Sequence, residues 1–309
     1  MILVTGAAGF VGQRLLDRLA REGREVRALI RPSHISPKLP PGLAVQAAIS
    51  SLADERGLRA ALVGVDTVFH LAGVDWTDPR DDMRGITIDG TRNLLEACRD
   101  AGVKRLIFLS HLDADRAAAF PELKAKGIAE EFIRLAPIPY TIVRSALIFG
   151  PNDHFTVPLA QLMAFSPRAF LMPGDGAELL QPIWLEDLVS CLGACLDDEE
   201  TVGKTLEIGG PEHISFRQIA ELVLQQTGLQ RNLLAMRPSY LRILIPFVHT
   251  FVPRLPVSTY WLDYLAADRI CELDSVPRAF ELMPARFSQH LEYLQNVDWR
   301  VSMRTRMVD

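Results

Sequence analysis

Three groups of residues carry chemistry by their type and spacing. Gly6, Gly9 and Gly12 lie in Val4-Thr5-Gly6-Ala7-Ala8-Gly9-Phe10-Val11-Gly12, after an apolar run and ahead of an amphipathic one. Strand, glycines and helix together form an anion cradle. Backbone without side chains can approach a phosphate, and the helix N-terminus adds N–H groups and partial positive charge. Ser110 and His111 close the apolar run Leu106–Leu109. A histidine there either finishes a strand or moves a proton near neutral pH. Lys126 follows Glu122 by four residues, which puts both on one helix face. That spacing favours a surface ion pair contributing about 0.3–0.5 kcal/mol over a catalytic carboxylate.

The elements that position these groups alternate. Ile2–Val4 reads as a strand and Gln13–Glu22 as a helix. Glu25–Ile30 and Ala44–Ala48 follow as strands, Ala53–Val63 as a helix and Thr67–Ala72 as a strand. Ile86–Ala101 is a helix, Leu106–Leu109 a buried strand, Phe120–Leu135 a helix and Tyr140–Val143 a strand. Alternation of this kind implies an α/β fold: a Rossmann-type doubly wound parallel sheet, with a smaller C-terminal α/β cap region. The expected division is a dinucleotide-binding domain over 1–153, to which 181–210 return, and a substrate or partner region over 154–309. The glycine spacing is Gly-x-x-Gly-x-x-Gly rather than Gly-x-Gly-x-x-Gly. Its place between strand and helix is the context that gives it meaning.

In such a fold the end of the second strand meets the adenosine ribose. An acidic residue there would suit NAD(H). The sequence has Arg31, with Ser33, His34 and Lys38 close behind. A cation suits a 2′-phosphate, so NADP(H) is the preferred cofactor and NAD(H) the second choice.

Composition sets the class. With 309 residues, 49% hydrophobic and 23% charged, the chain can bury a large core. A net charge of −5 argues against a nucleic-acid partner. Cys98, Cys191, Cys195 and Cys271 form neither a disulfide framework nor a metal motif, and Cys191 and Cys195 read as buried free thiols. No signal peptide or membrane-spanning run is visible, so the expected location is cytoplasmic. Nothing in the sequence sets an oligomeric state.

Together these motifs resemble the extended, atypical short-chain dehydrogenase/reductase family of NAD(P)H-binding, epimerase-like proteins. The similarity is greatest to the branch with NmrA-like proteins and the 39-kDa-type accessory subunit of respiratory complex I. It covers most of the chain. It rests on Thr5–Gly12, Val65–Gly73, Gly90–Ala97, Pro139–Arg144, Phe149-Gly150-Pro151 and Gly209-Gly210-Pro211. The resemblance implies that Gly6, Gly9 and Gly12 meet the pyrophosphate, with Ala8, Phe10 and Val11 in the same loop. Arg31 would read the 2′-phosphate, and Leu71, Ala72 and Gly73 would line the middle of the cofactor. Ser110 would end near the nicotinamide, and Lys126 would hold the place of the family lysine.

That family usually carries a tyrosine four residues before the lysine, whose charge lowers the phenol pKa for acid/base work. Here the position is Glu122, and no tyrosine precedes Tyr140. The family's aspartate near the adenine falls about at Ser51, and its asparagine before Gly90 is Thr87. Lys126 with Ser110 or His111 is then the candidate machinery. The implied function is hydride transfer to or from a small apolar carbonyl or enone. The alternative is NADP(H) binding without turnover, as a redox sensor or an accessory or assembly protein.

Beyond Asp153, His154, Phe155, Met163, Met172 and Trp184 are either pocket lining or core. Ser215 is a plausible N-cap for a helix over Ser215–Thr227. The stretch 240–261 is apolar but broken by Pro246, Pro253 and Pro256. It cannot span a bilayer; it packs on the main domain, or meets a membrane surface or a protein partner. The tail Trp299–Asp309 reads as loosely ordered.

Overall fold

Seven short runs rich in Val, Ile and Leu assemble into one parallel sheet. The computed structural model describes residues 1–32, 42, 44–74, 82–252 and 254–308. The expectations on Ser33, His34, Lys38 and Pro253 lie outside these residues. The strands are β1 (Ile2–Thr5), β2 (Val26–Ile30), β3 (Val45–Ile49), β4 (Thr67–His70), β5 (Arg105–His111) and β6 (Tyr140–Ser145), with Thr205–Ile208 as the seventh. Their order is β3-β2-β1-β4-β5-β6 and then Thr205–Ile208. The direction of winding reverses between β1 and β4, the switch point where open α/β sheets bind ligands.

Helix α1 (Phe10–Arg21) packs on the helix Leu185–Asp197. In turn α2 (Glu55–Ala61), α3 (Gly90–Ala101) and α4 (Pro121–Leu135) pack one on the next. Leu3, Leu58, Val68, Leu94, Phe108 and Ile142 belong to one continuous core. The residues form a compact unit of Met1–Val74, Asp82–Ser145 and Leu185–Ile208. Its middle segment ends where β6 ends.

A second unit contains Ala146–Trp184 and Gly209 onward. Phe155, Met163 and Met172 lie fully inside its core with Phe216, Trp261 and Phe287, so these three are packing residues. Ser215 caps the helix Phe216–Thr227 in a reciprocal capping box with Gln218. The C-terminal segment corrects the expectation of a loose tail. Trp299–Val308 is a helix with Trp299 and Met303 buried, and the Trp299 indole N–H donates to the Leu294 carbonyl at 3.1 Å.

The helix expected from Ile86 starts differently. Arg84–Asp89 is a π-helical turn leading into α3. Gly85 lies within it and Gly90 follows it. A Cβ on Gly85 would lie 2.2 Å from Asp82 Oδ2, and one on Gly90 would lie 2.9 Å from the Leu52 side chain. The two glycines let the wide turn sit close to its neighbours.

Candidate cofactor and proton-transfer site

Because the sheet is parallel, the residues after each strand gather at one edge. Thr5 pairs with His70 and His70 with Phe108, so the turn after β1, the segment Leu71–Gly73 and the pair Ser110–His111 are neighbours there. The register Val4 to Ala28 brings Arg31, exposed just past β2, to the same edge.

The glycine turn is built for close approach. Gly6 has φ +67°, and a Cβ there would lie 2.8 Å from the Ala72 nitrogen. A Cβ on Gly12 would lie 2.1 Å from the Gly6 carbonyl oxygen, so no larger residue fits. The Gln13 side-chain amide donates to the Ala8 carbonyl at 2.7 Å and folds the loop on itself. Helix α1 has no side-chain cap and no acidic residue in its first turn. Ala8 and Gly9 are exposed, and Phe10 and Val11 are half-buried. Small residues, a bare helix N-terminus and an arginine nearby fit a dinucleotide phosphate.

His70 ties this turn to the rest of the edge. Thr91 Oγ1 donates to the Thr87 carbonyl at 2.6 Å, so it must accept from His70 Nε2 at 2.9 Å. His70 Nδ1 then accepts from the Thr5 hydroxyl at 2.7 Å, whose oxygen takes the Ala72 N–H at 3.3 Å. The network assigns the Nε2–H tautomer. Burial, with the charge of Lys126, pushes the His70 pKa down to about 3. His70 is therefore a neutral brace rather than an acid.

Lys126 is 5% exposed, which corrects the expected surface ion pair. Its ammonium donates to the Leu109 carbonyl at 2.9 Å and lies 4.8 Å from the centre of the Phe108 ring. A Cβ on Gly73 would be 3.6 Å from Nζ, so the ammonium reaches the segment expected to line the cofactor. Burial pushes the Lys126 pKa down to about 8, against the opposing pull of Glu122 and Glu130. Helix α4 turns this charged face inward because Gly127 allows it. A Cβ there would be 2.3 Å from the Asp115 carbonyl carbon.

Glu122 meets His111 instead: Oε1 lies 3.1 Å from His111 Nε2, and both side chains are mostly buried. Ser110 faces the other way and donates to Glu130 Oε1 at 2.6 Å. Glu130 is fully buried and is held by Arg144 at 2.8 and 3.0 Å and by Arg134 at 2.6 Å. The Glu130 hydrogen bonds raise the Arg144 pKa further. The structure thus brings His111, Glu122 and Lys126 into one cluster and turns the Ser110 hydroxyl out of it.

Glu130, Arg144 and His70 were not expected as site supports. Their signals were present: Glu130 and Arg134 continue the four-residue spacing of Lys126, and Arg144 is a charge inside an apolar strand.

A family model described as NAD(P)H-binding matches residues 6–156. The 2-alkyl-3-oxoalkanoate reductase of Stenotrophomonas maltophilia is 30% identical over 258 residues, covering 74% of this chain and 76% of that protein. The chain belongs to the extended, atypical short-chain dehydrogenase/reductase family.

Another relative in this family is the mitochondrial NADH dehydrogenase (ubiquinone) 1 alpha subcomplex subunit 9 of Arabidopsis thaliana, 29% identical over 230 residues. The match covers 71% of this chain and 56% of that protein, so the chain spans little more than half of that relative's length. Among solved structures, MoeE5 in complex with UDP-glucuronic acid and NAD has a TM-score of 0.73 at 20% identity, covering 98% of this chain and 99% of its own. That is a likeness of fold. Within this short-chain dehydrogenase/reductase, Glu122 stands where the resemblance places a tyrosine, and its partner is an imidazole.

Proposed function

We propose that this protein is an NADP(H)-dependent oxidoreductase acting on a small, fairly apolar carbonyl or enone, with His111 and Glu122 in place of the family tyrosine. The observation that carries the reading is the 3.1 Å contact between His111 and Glu122, one helical turn from Lys126. When bound, the nicotinamide dinucleotide supplies or takes up the hydride. The chain's own groups do the rest. The backbone at Gly6, Gly9 and Gly12 binds pyrophosphate, and Arg31 takes the 2′-phosphate that distinguishes NADP(H). Lys126 binds ribose hydroxyls and adds positive potential. In the reducing direction His111 gives a proton to the substrate oxygen, and the Glu122 carboxylate, 3.1 Å from Nε2, orients the ring. An apolar substrate is in keeping with the reductase relative, whose name describes an alkyl-bearing oxo acid. Four free cysteines are in keeping with a reducing, cytoplasmic setting.

One observation favours a second reading, in which NADP(H) is bound and not turned over by an accessory or sensor protein. The Ser110 hydroxyl is given to Glu130, which leaves the strand end one proton donor fewer. Titration with NADPH followed by a screen of aliphatic ketones and enones separates the two. NADPH binding with turnover that His111→Ala abolishes supports the oxidoreductase. NADPH binding with no turnover supports the second reading, and no response to either dinucleotide overturns both.

A further inference from the structure

The helix Pro238–Phe251 has two apolar stripes and a seat for only one. Leu241 and Ile245 pack with Leu262 in a small core cluster, against Met236 and Val257. The other stripe points outward: Tyr240, Ile243, Phe247 and Phe251 are 59%, 73%, 61% and 72% exposed. Leu244 lies between them at 38%. At about 100° per residue these five side chains fall within about 100° of arc. The Phe247 and Phe251 rings meet edge to face with centroids 5.3 Å apart. The result is a continuous aromatic and aliphatic ridge along the helix.

Charge around the ridge selects its occupant. The chain as a whole carries −5, yet no acidic residue occurs between Glu221 and Asp263. The cations in that interval are Arg231, Arg237, Arg242 and Arg254. Arg242 is paired with Asp263, and Arg231 donates to backbone carbonyls of Met163 and Ser166. Arg237 and Arg254 stand exposed beyond the two ends of the helix. The ridge carries no hydrogen-bonding side chain except the Tyr240 hydroxyl. A protein partner reads directed polar groups around an apolar centre. A lipid surface asks only for apolar depth flanked by positive charge. No helix among the described residues is long and apolar enough to cross a membrane, so this one would lie in the interface.

We propose that the helix Pro238–Phe251 docks this protein on a membrane surface carrying anionic headgroups. The ridge from Tyr240 to Phe251 enters the upper acyl region, and Arg237 and Arg254 meet the headgroups. The inference is independent of cofactor turnover.

Cosedimentation of the full chain with phosphatidylcholine vesicles, with and without phosphatidylserine, tests it. The wild type is expected to bind the phosphatidylserine vesicles, and to bind less as salt rises. Phe247→Ser with Phe251→Ser should lower the partition coefficient about tenfold or more. Arg237→Gln and Arg254→Gln should each lower it roughly fivefold on phosphatidylserine vesicles alone. Far-UV circular dichroism and melting temperature show whether the variants keep the fold, as exposed positions should. Failure of the wild type to bind either vesicle overturns the proposal, as does binding that the double serine variant leaves unchanged. Concentration-dependent dimerisation abolished by the double serine variant also overturns it, since the ridge would then be covered by a second copy.

Discussion

Glu122 Oε1 lies 3.1 Å from His111 Nε2, one turn of α4 before the buried Lys126. An ionised carboxylate has no proton to give, whereas a histidine oriented by a carboxylate can give one. Under the oxidoreductase reading, His111→Ala should lower kcat/KM by about 10²–10⁴-fold and leave the NADPH dissociation constant within a few-fold. Glu122→Gln should have a smaller effect, because it removes the carboxylate that faces His111 Nε2 at 3.1 Å. Steady-state kinetics across pH, beside fluorescence titration of NADPH, reads both. An unchanged rate in His111→Ala would remove His111 from the chemistry.

Ser110 is expected to behave in the opposite way. Its hydroxyl hydrogen is committed to Glu130 at 2.6 Å, so Ser110→Ala should cost about 1.5–3 kcal/mol of stability and change turnover little. Breaking the pair between partly exposed Arg144 and fully buried Glu130 by Arg144→Met should cost up to about 3–5 kcal/mol, because the Glu130 charge keeps only part of its partnership. Urea unfolding compares the two variants. A Ser110→Ala variant that is stable yet inactive would contradict this division of roles.

Lys126 should leave a signature in stability against pH. Burial lowers its pKa from 10.5 to about 8. Below about pH 8 both the folded and unfolded chains carry the proton, and the folded state bears the burial penalty. Between about pH 8 and 10.5 the unfolded chain holds more protons, so stability rises with pH across that window. The gain is on the order of a few kcal/mol. Lys126→Met should flatten the rise and weaken NADPH binding. Urea midpoints across that pH range, for wild type and variant, give the comparison.

His70 acts on the acid side. Its folded pKa of about 3 lies below the ordinary 6.5. Its contribution is complete above about pH 6.5 and is lost as pH falls toward 3, since only the unfolded chain readily takes the proton. His70→Phe should reduce this acid-side slope. At neutral pH it should cost about 1–3 kcal/mol for the Thr5 hydroxyl, which loses its acceptor, while the Thr91 hydroxyl still donates to the Thr87 carbonyl. Acid titrations followed by circular dichroism measure the slope.

Arg31 tests cofactor choice. If it meets the 2′-phosphate, Arg31→Ala should weaken NADPH roughly ten- to hundredfold, the worth of a charge-assisted contact. NADH should be little affected, and Arg31→Glu should reverse the preference. Parallel calorimetric titrations with the two dinucleotides decide the matter, and equal losses for both would place Arg31 elsewhere.

What could be read from the sequence alone was local. The glycine turn at Gly6–Gly12, the alternation of strands and helices, and the Ser215 N-cap each depend on residues a few positions apart. Backbone sterics and hydrophobic period act over that range. The destinations of the charged side chains were decided by tertiary structure. Glu122 and Lys126 have the spacing of a surface pair, yet Gly127 lets α4 close on Asp115 and turns that face inward. The partners then come from other elements: His111 and Leu109 from β5, and Arg144 from β6. Helical spacing shows which residues share a face, but only packing decides whether that face meets water. For Lys126 that difference turns one half of an expected surface pair with Glu122 into a buried ammonium whose pKa is pushed down.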